Sequence, residues 1–176
     1  MFKDVESIKE WKGIRNNFSN KSVIVVPRRL FKETYTLLVD CDDIAFISIE
    51  CVEEYLWKGR LRPNMHLVES SDNVLNIDFD DVETDGIDDE GNHWYAITDE
   101  QGQEIANFIE MHLGKHFVIH CTAGKSRSQG VAKAIFDVFP DIYSKNKYSE
   151  MNPSITPNYA VSCAIKKAFK DRLFVF

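Results

Sequence analysis

Glycine and proline are scarce in this chain, eight and five among 176 residues, and they never gather with serine into a linker. No internal repeat or low-complexity tract divides the sequence, so a single domain over residues 1–176 is expected. Cysteine is scarcer still: Cys41, Cys51, Cys121 and Cys163 stand far apart, with no Cys-x-x-Cys pair. That spacing speaks against a disulfide framework and against a zinc site, and suits thiols kept reduced in the cytoplasm. Long apolar runs are missing as well. Residues 23–26 and 44–49 are strand-sized, far below the roughly 20 residues of a membrane span, so no membrane insertion is expected. The first residues carry charge from Lys3 onward, unlike a signal peptide. Finally, there is no cluster of Lys and Arg, and the net charge is −7; a nucleic-acid partner is therefore not expected.

What remains is a chain that is 44% hydrophobic and 12% aromatic, enough to bury a core without metal or disulfide staples. Residues 23–26, 44–49 and 74–79 read as strands from their β-branched and alternating apolar residues. Residues 78–90 form an acidic stretch punctuated by Gly86, expected to be a solvated loop at Asp85, Asp88, Asp89 and Glu90. A helix is expected to be capped by Thr98 or Asp99, to carry Ile105, Phe108 and Ile109 on one face, and to stop at Gly114. A short apolar strand over residues 117–120 precedes a second helix with Val131, Ala134, Ile135 and Val138 at helical spacing, ending before Pro140. A last helix is expected to begin near Pro157 as its first residue and to carry Val161, Ala164, Ile165 and Ala168. This alternation predicts an α/β fold, a central and mainly parallel sheet flanked by helices, with functional loops at the carboxyl ends of the strands.

The chemistry is concentrated in His120-Cys121-Thr122-Ala123-Gly124-Lys125-Ser126-Arg127-Ser128. A thiol ends a buried strand, and an arginine opens the following helix six residues later. Backbone N–H groups in such a strand-to-helix turn converge on an anion, and the helix N-terminus adds partial positive charge. The same field favours thiolate over thiol. Arginine offers a planar fork to two phosphate oxygens, which lysine does not. A nucleophile and an oxyanion cradle thus come from one phosphate-binding loop, with residues 122–127 as the substrate-binding set and no metal or organic cofactor required.

These residues match the His-Cys-x5-Arg-Ser/Thr motif, and the chain resembles the cysteine-dependent protein-tyrosine and dual-specificity phosphatases, particularly small single-domain bacterial and phage types. The resemblance implies Cys121 as nucleophile, Arg127 as phosphate clamp, Ser128 as hydrogen-bonding partner of the sulfur and His120 as a supporting residue. It also implies a carboxylic acid on a loop after an upstream strand. Residues 74–79 run directly into Asp80 and Asp81; matching the strand without a gap puts Asp81 at the acid position, with Asp80 the runner-up. The implied substrate is a phosphorylated protein or a small phosphorylated molecule. No tyrosine-recognition loop precedes the cysteine, and Lys145 to Tyr148, superficially like one, lies on the wrong side of it. Lys125 either meets additional phosphates, as in phosphoinositide and inositol-phosphate phosphatases, or points to solvent. Arg28, Arg29, Lys58, Arg60 and Arg62 could line a basic rim, or simply be solvated. The remaining cysteines are expected to be small core residues. The competing class is a catalytically inactive phosphate-binding module.

Three rival motifs fail on spacing. Gly124-Lys125-Ser126 ends like a Walker A loop, but Ile119 stands where its first glycine belongs. His112, His116 and His120 recur every four residues, yet Gly114 interrupts any helix that would join them. Asp81, Glu83, Asp85 and Gly86 imitate a calcium loop whose twelfth position is Asn92 instead of Glu.

Overall fold

The computed structural model describes residues 4–17, 20–53, 55–57, 60–62, 65–143 and 156–173. Lys58 and Lys145 to Tyr148 lie outside them. Helix α1 (Val5–Ile14) is followed by strand β1 (Val23–Pro27), helix α2 (Arg28–Leu38) and strand β2 (Ile44–Glu50). Two short strands, β3 (Tyr55–Trp57) and β4 (Arg60–Arg62), pair antiparallel before strand β5 (Val74–Asp78). A second small ribbon, β6 (Gly86–Ile87) with β7 (His93–Trp94), precedes helix α3 (Asp99–Met111), strand β8 (His116–Cys121), helix α4 (Arg127–Val138) and helix α5 (Tyr159–Leu173).

The central sheet has the order β1-β8-β2-β5 and every pair in it is parallel. Strands β1, β8 and β2 are buried on both faces, the expected state of a parallel sheet between helices, while edge strand β5 is partly exposed at Asn76 and Asp78. Side chains alternate across it. Val23, Val25, Ala45, Ile47, Phe117, Ile119 and Cys121 join the core on one face with residues of α3, α4 and α5. Ile24, Val26, Ile44, Phe46 and Val118 join the core on the other with Ile8 and Trp11 of α1 and Phe31 and Leu38 of α2.

Two glycines set how closely α5 docks. A Cβ on Gly102 would come within 2.9 Å of the Ala164 backbone, and one on Gly130 within 2.7 Å of the Asn158 carbonyl and 2.9 Å of Val161 Cβ. Only glycine permits that approach of α3 and α4 to α5.

Several local expectations need revision. Helix α3 has the expected Thr98 cap, in a capping box with Gln101, but ends at Met111, before the turn at Gly114 with φ +85°. The last helix starts at Tyr159, not Pro157: the Asn158 side chain accepts the Val161 N–H at 3.2 Å and caps the helix, so proline sits outside it. The acidic stretch is more than a solvated loop. Asp85 accepts the Ala96 N–H at 2.7 Å, and Asp88 accepts the N–H groups of Glu90 and Asn92 at 3.0 and 2.9 Å. These carboxylates organise the β6–β7 turn through backbone donors. Helices α1 and α2 had no counterpart in the sequence reading.

Candidate active site

The carboxyl edge of the sheet assembles the site. Register places Pro27 beside Cys121, Ser48 beside His120 and Glu50 beside Asp78. The connections leaving β1, β8, β2 and β5 therefore emerge side by side, where an open α/β sheet offers its binding crevice.

Cys121 ends β8 and is 2% exposed; its Sγ lies 3.1 Å from Ser128 Oγ, in the first turn of α4. Between them the chain turns through Gly124, whose φ of +67° is a conformation that favours glycine. The backbone N–H groups of residues 122–126 donate to no other described residue. Backbone N–H groups are normally paired with protein or water, so these donors are open to solvent or to an anion. Gln129 Nε2 donates to the Gly124 carbonyl at 3.2 Å and braces the turn from behind.

Arg127 is 3% exposed. Its Nη1 donates to the carbonyls of Glu50 at 2.9 Å and Phe79 at 2.7 Å, locking the guanidinium to the ends of β2 and β5. Nη2 donates to Thr122 Oγ1 at 2.8 Å, and Nε is buried with no hydrogen-bond partner among the described residues. Burial works against the charge, but the interactions with Cys121, Cys51 and Asp81 outweigh it and hold the guanidinium above its ordinary range. A buried cation with one unused donor is a strong demand for an anion.

Asp81 reaches this loop: its Oδ1 accepts from Ser126 Oγ at 2.6 Å and from Asn158 Nδ2 at 3.2 Å. Asp80 does not. It is 2% exposed, its Oδ2 accepts the Tyr95 N–H at 2.9 Å, and its own N–H donates to the Tyr95 carbonyl at 2.7 Å. Asp80 thus ties the β5 loop to the β7 segment, while Asp81 bonds to the side chains of Ser126 and Asn158.

His120 is fully buried, stacked at a tilt on Phe31 with ring centroids 3.9 Å apart, and its Nε2 lies 2.7 Å from Ser48 Oγ. Burial pushes its pKa down to about 3, against a backbone group of Cys121 that favours the charged form. The ring is neutral. Lys125 and Ala123 are exposed on the loop, Thr122 and Ser126 half-buried.

No family model and no curated protein matches the sequence. Among solved structures the chain is similar to the human tyrosine phosphatase-like serine/threonine/tyrosine-interacting protein, at TM-score 0.49 and 19% identity over 86% of this chain and 93% of that one. It is similar to the Yvh1 phosphatase domain from Chaetomium thermophilum at TM-score 0.44 and 17% identity, covering 90% and 96% of the two chains. PTPMT1, solved in complex with PI(5)P, is similar at TM-score 0.42 and 14% identity over 85% and 91%. These are distant likenesses of overall shape.

The structure also brings in residues that the sequence reading did not single out. Glu50 is fully buried at the end of β2, and its Oε1 accepts from Arg28 Nε at 2.7 Å. Burial raises its carboxyl to about 7, Arg28 opposing. Arg28 also donates to the Met65 carbonyl at 2.7 Å, so it is a strut between segments and not part of a basic rim. The side chains of Arg60 and Arg62 lie outside the described structure. Asn158 joins three parts of the site: its N–H donates to the Ser126 carbonyl at 3.1 Å, its Nδ2 to Asp81 and, at 3.3 Å, to the Val82 carbonyl. An asparagine after a proline carries no signal for that role; only the fold places it there. All four cysteines are unbridged, and Arg127 Nη1 lies 3.7 Å from Cys51 Sγ.

Proposed function

We propose that this chain is a phosphatase that hydrolyses phosphate monoesters through a cysteinyl-phosphate, acting on phosphotyrosine, phosphoserine or phosphothreonine in proteins. The observation that carries this reading is the buried Arg127 guanidinium, fixed by the Glu50 and Phe79 carbonyls, beside a thiol, with its Nε and the backbone N–H groups of residues 122–126 unpartnered among the described residues. That arrangement suits three equatorial phosphate oxygens. In the first step the Cys121 sulfur forms a bond to phosphorus while the ester oxygen departs and takes a proton from Asp81. In the second, water forms the new P–O bond, the S–P bond breaks, and the Asp81 carboxylate takes the proton from water. The Ser128 hydroxyl, 3.1 Å from the sulfur, stabilises the leaving thiolate.

The exposure of Lys125 on the loop supports a second reading of the substrate, a phosphoinositide or inositol phosphate whose further phosphates meet that ammonium. A panel of phosphopeptides, phosphoinositides and inositol phosphates compared by kcat/KM separates the two. The mechanism is tested by Cys121→Ser. It should release no phosphate from any of these substrates while still binding vanadate, because Arg127 and the backbone cradle are untouched. Turnover by the serine variant above a phosphate-free background rules the mechanism out, and a wild-type chain that binds vanadate but turns over nothing is an inactive phosphate-binding module.

A further inference from the structure

A guanidinium carries its N–H donors in one rigid plane, and those of Arg127 can be accounted for one by one. The two on Nη1 go to the carbonyls of Glu50 and Phe79 at 2.9 and 2.7 Å, with Cys51 Sγ a longer contact at 3.7 Å. Nη2 donates to Thr122 Oγ1 at 2.8 Å. The N–H of Nε and the other hydrogen of Nη2 remain, and Nε has no partner among the described residues although Arg127 is buried. A bidentate phosphate takes two donors from adjacent nitrogens in this way.

The three anchors do not fix the same thing. Both carbonyls grip one nitrogen. A hydrogen bond tolerates a bend of about 30° from linear, so bonds to Nη1 alone hold the group in place but let its far side swing. Nη2 is on that far side, and Thr122 is its one partner among the described residues. The threonine is well placed to hold a bearing. Its carbonyl accepts the Arg28 N–H at 3.3 Å, which ties its peptide to the start of α2, and a β-branched side chain is stiff about χ1. It also follows Cys121 directly in the chain. We propose that Thr122 is a positioning residue: its hydroxyl oxygen sets the angle at which Arg127 presents Nε and Nη2 to a phosphate beside Cys121.

This role needs an oxygen and not a shape. Valine matches threonine in volume and branching but gives the Nη2 hydrogen no acceptor. So buried a donor then turns toward another oxygen or toward water, and the fork turns with it. Serine keeps the oxygen and loses a methyl group and some stiffness. A packing role therefore ranks Val above Ser at this position, and a positioning role ranks Ser above Val.

The proposal rests on the phosphatase reading for its effect on rate, but anion binding alone can decide it. Vanadate affinity and kcat/KM for p-nitrophenyl phosphate are compared in the wild type, Thr122→Val, Thr122→Ser, Arg127→Ala and the Thr122→Val, Arg127→Ala pair. Thr122→Val should lose at least about tenfold in both, a share of the hundredfold that a misplacement of about 1 Å costs. Thr122→Ser should stay within about threefold of the wild type, since the acceptor is kept. Because Thr122 acts through the arginine, Thr122→Val should change the vanadate affinity of Arg127→Ala by less than about twofold. Should Thr122→Val fail to fold, Thr122→Ala removes the same oxygen and carries the same expectations. Losses that multiply in the double variant mean that the hydroxyl meets phosphate directly, and overturn the positioning role. Wild-type affinity in Thr122→Val, or a Thr122→Ser weaker than Thr122→Val, overturns it as well. A wild-type chain that binds vanadate but releases no phosphate sinks the phosphatase reading alone, and the vanadate affinities still decide the role of Thr122.

Discussion

The guanidinium of Arg127 divides its donors between scaffold and loop. Nη1 is fully used by the Glu50 and Phe79 carbonyls, which fixes the plane of the fork; Nε has no partner among the described residues, and under the proposed function it and the rest of Nη2 serve phosphate. Preorganisation of this kind removes the cost of orienting the clamp in the transition state. Lysine at this position keeps a charge but satisfies neither carbonyl pair nor fork, so Arg127→Lys should lower kcat/KM by about a hundredfold or more, roughly 2.7 kcal/mol. A near-normal value would show that the arginine is not the clamp. The adjacent aspartates divide differently. Asp81→Asn should slow an alkyl phosphate far more than p-nitrophenyl phosphate, since a good leaving group departs without a proton. Asp80→Asn should leave that leaving-group dependence intact and instead cost on the order of 1–3 kcal/mol of stability, measured by urea denaturation, because it perturbs a buried acceptor for the Tyr95 N–H. If Asp80→Asn gives the leaving-group effect and Asp81→Asn does not, the two roles are exchanged.

At the level of elements, the site depends on how α5 is seated. Gly130 lets α4 approach the first turn of α5, where Asn158 holds both Asp81 and the Ser126 carbonyl. Gly130→Ala puts a methyl 2.7 Å from the Asn158 carbonyl, so backbone must move. Stability should fall by about 1–3 kcal/mol, the usual cost of overpacking, and the leaving-group dependence should shift toward that of Asp81→Asn as Asn158 releases its partner. A destabilised variant with unaltered kinetics would show that Asn158 does not position Asp81. This dependence explains what the sequence could and could not convey. The sheet was legible because its strands are apolar runs buried on two faces, and the Cys121 loop because nucleophile, glycine and arginine lie within seven residues. Helix α2 was hidden: it opens directly after Pro27 without a side-chain cap, and one of its four buried positions is the polar Thr34. Asp81 was narrowed to one of two neighbours because a strand end fixes which side each faces only when its partner segment, here Tyr95, is known. Ser48 and Glu50 lie on β2 and Asn158 just before α5, and no local pattern announces a contact between such distant segments.

Over the whole molecule, two buried groups bend the stability profile in opposite directions. His120 falls from an ordinary 6.5 to about 3 in the folded chain, so its contribution is complete above 6.5 and is lost progressively as the pH falls toward 3. Glu50 rises from 4.5 to about 7, so its contribution is complete below 4.5 and is lost as the pH rises toward 7. Between 4.5 and 6.5 the unfolded chain holds the extra proton on His120 and the folded chain holds one on Glu50. The two slopes there are equal and opposite, each at most about 1.4 kcal/mol per pH unit, the value for one proton. Glu50→Gln removes one of them. Gln retains an acceptor for Arg28 and does not ionise, so the variant should gain stability relative to the wild type as the pH rises from 4.5 to 7. Its own profile should fall on the acid side through the uncovered His120 term. Urea midpoints measured at intervals across that range give the difference curve directly, free of groups the two proteins share. A difference that does not change with pH would mean that Glu50 stays ionised against Arg28 throughout, and that the carboxyl at the end of β2 is one half of a fixed ion pair instead of a group that takes up a proton behind Arg127.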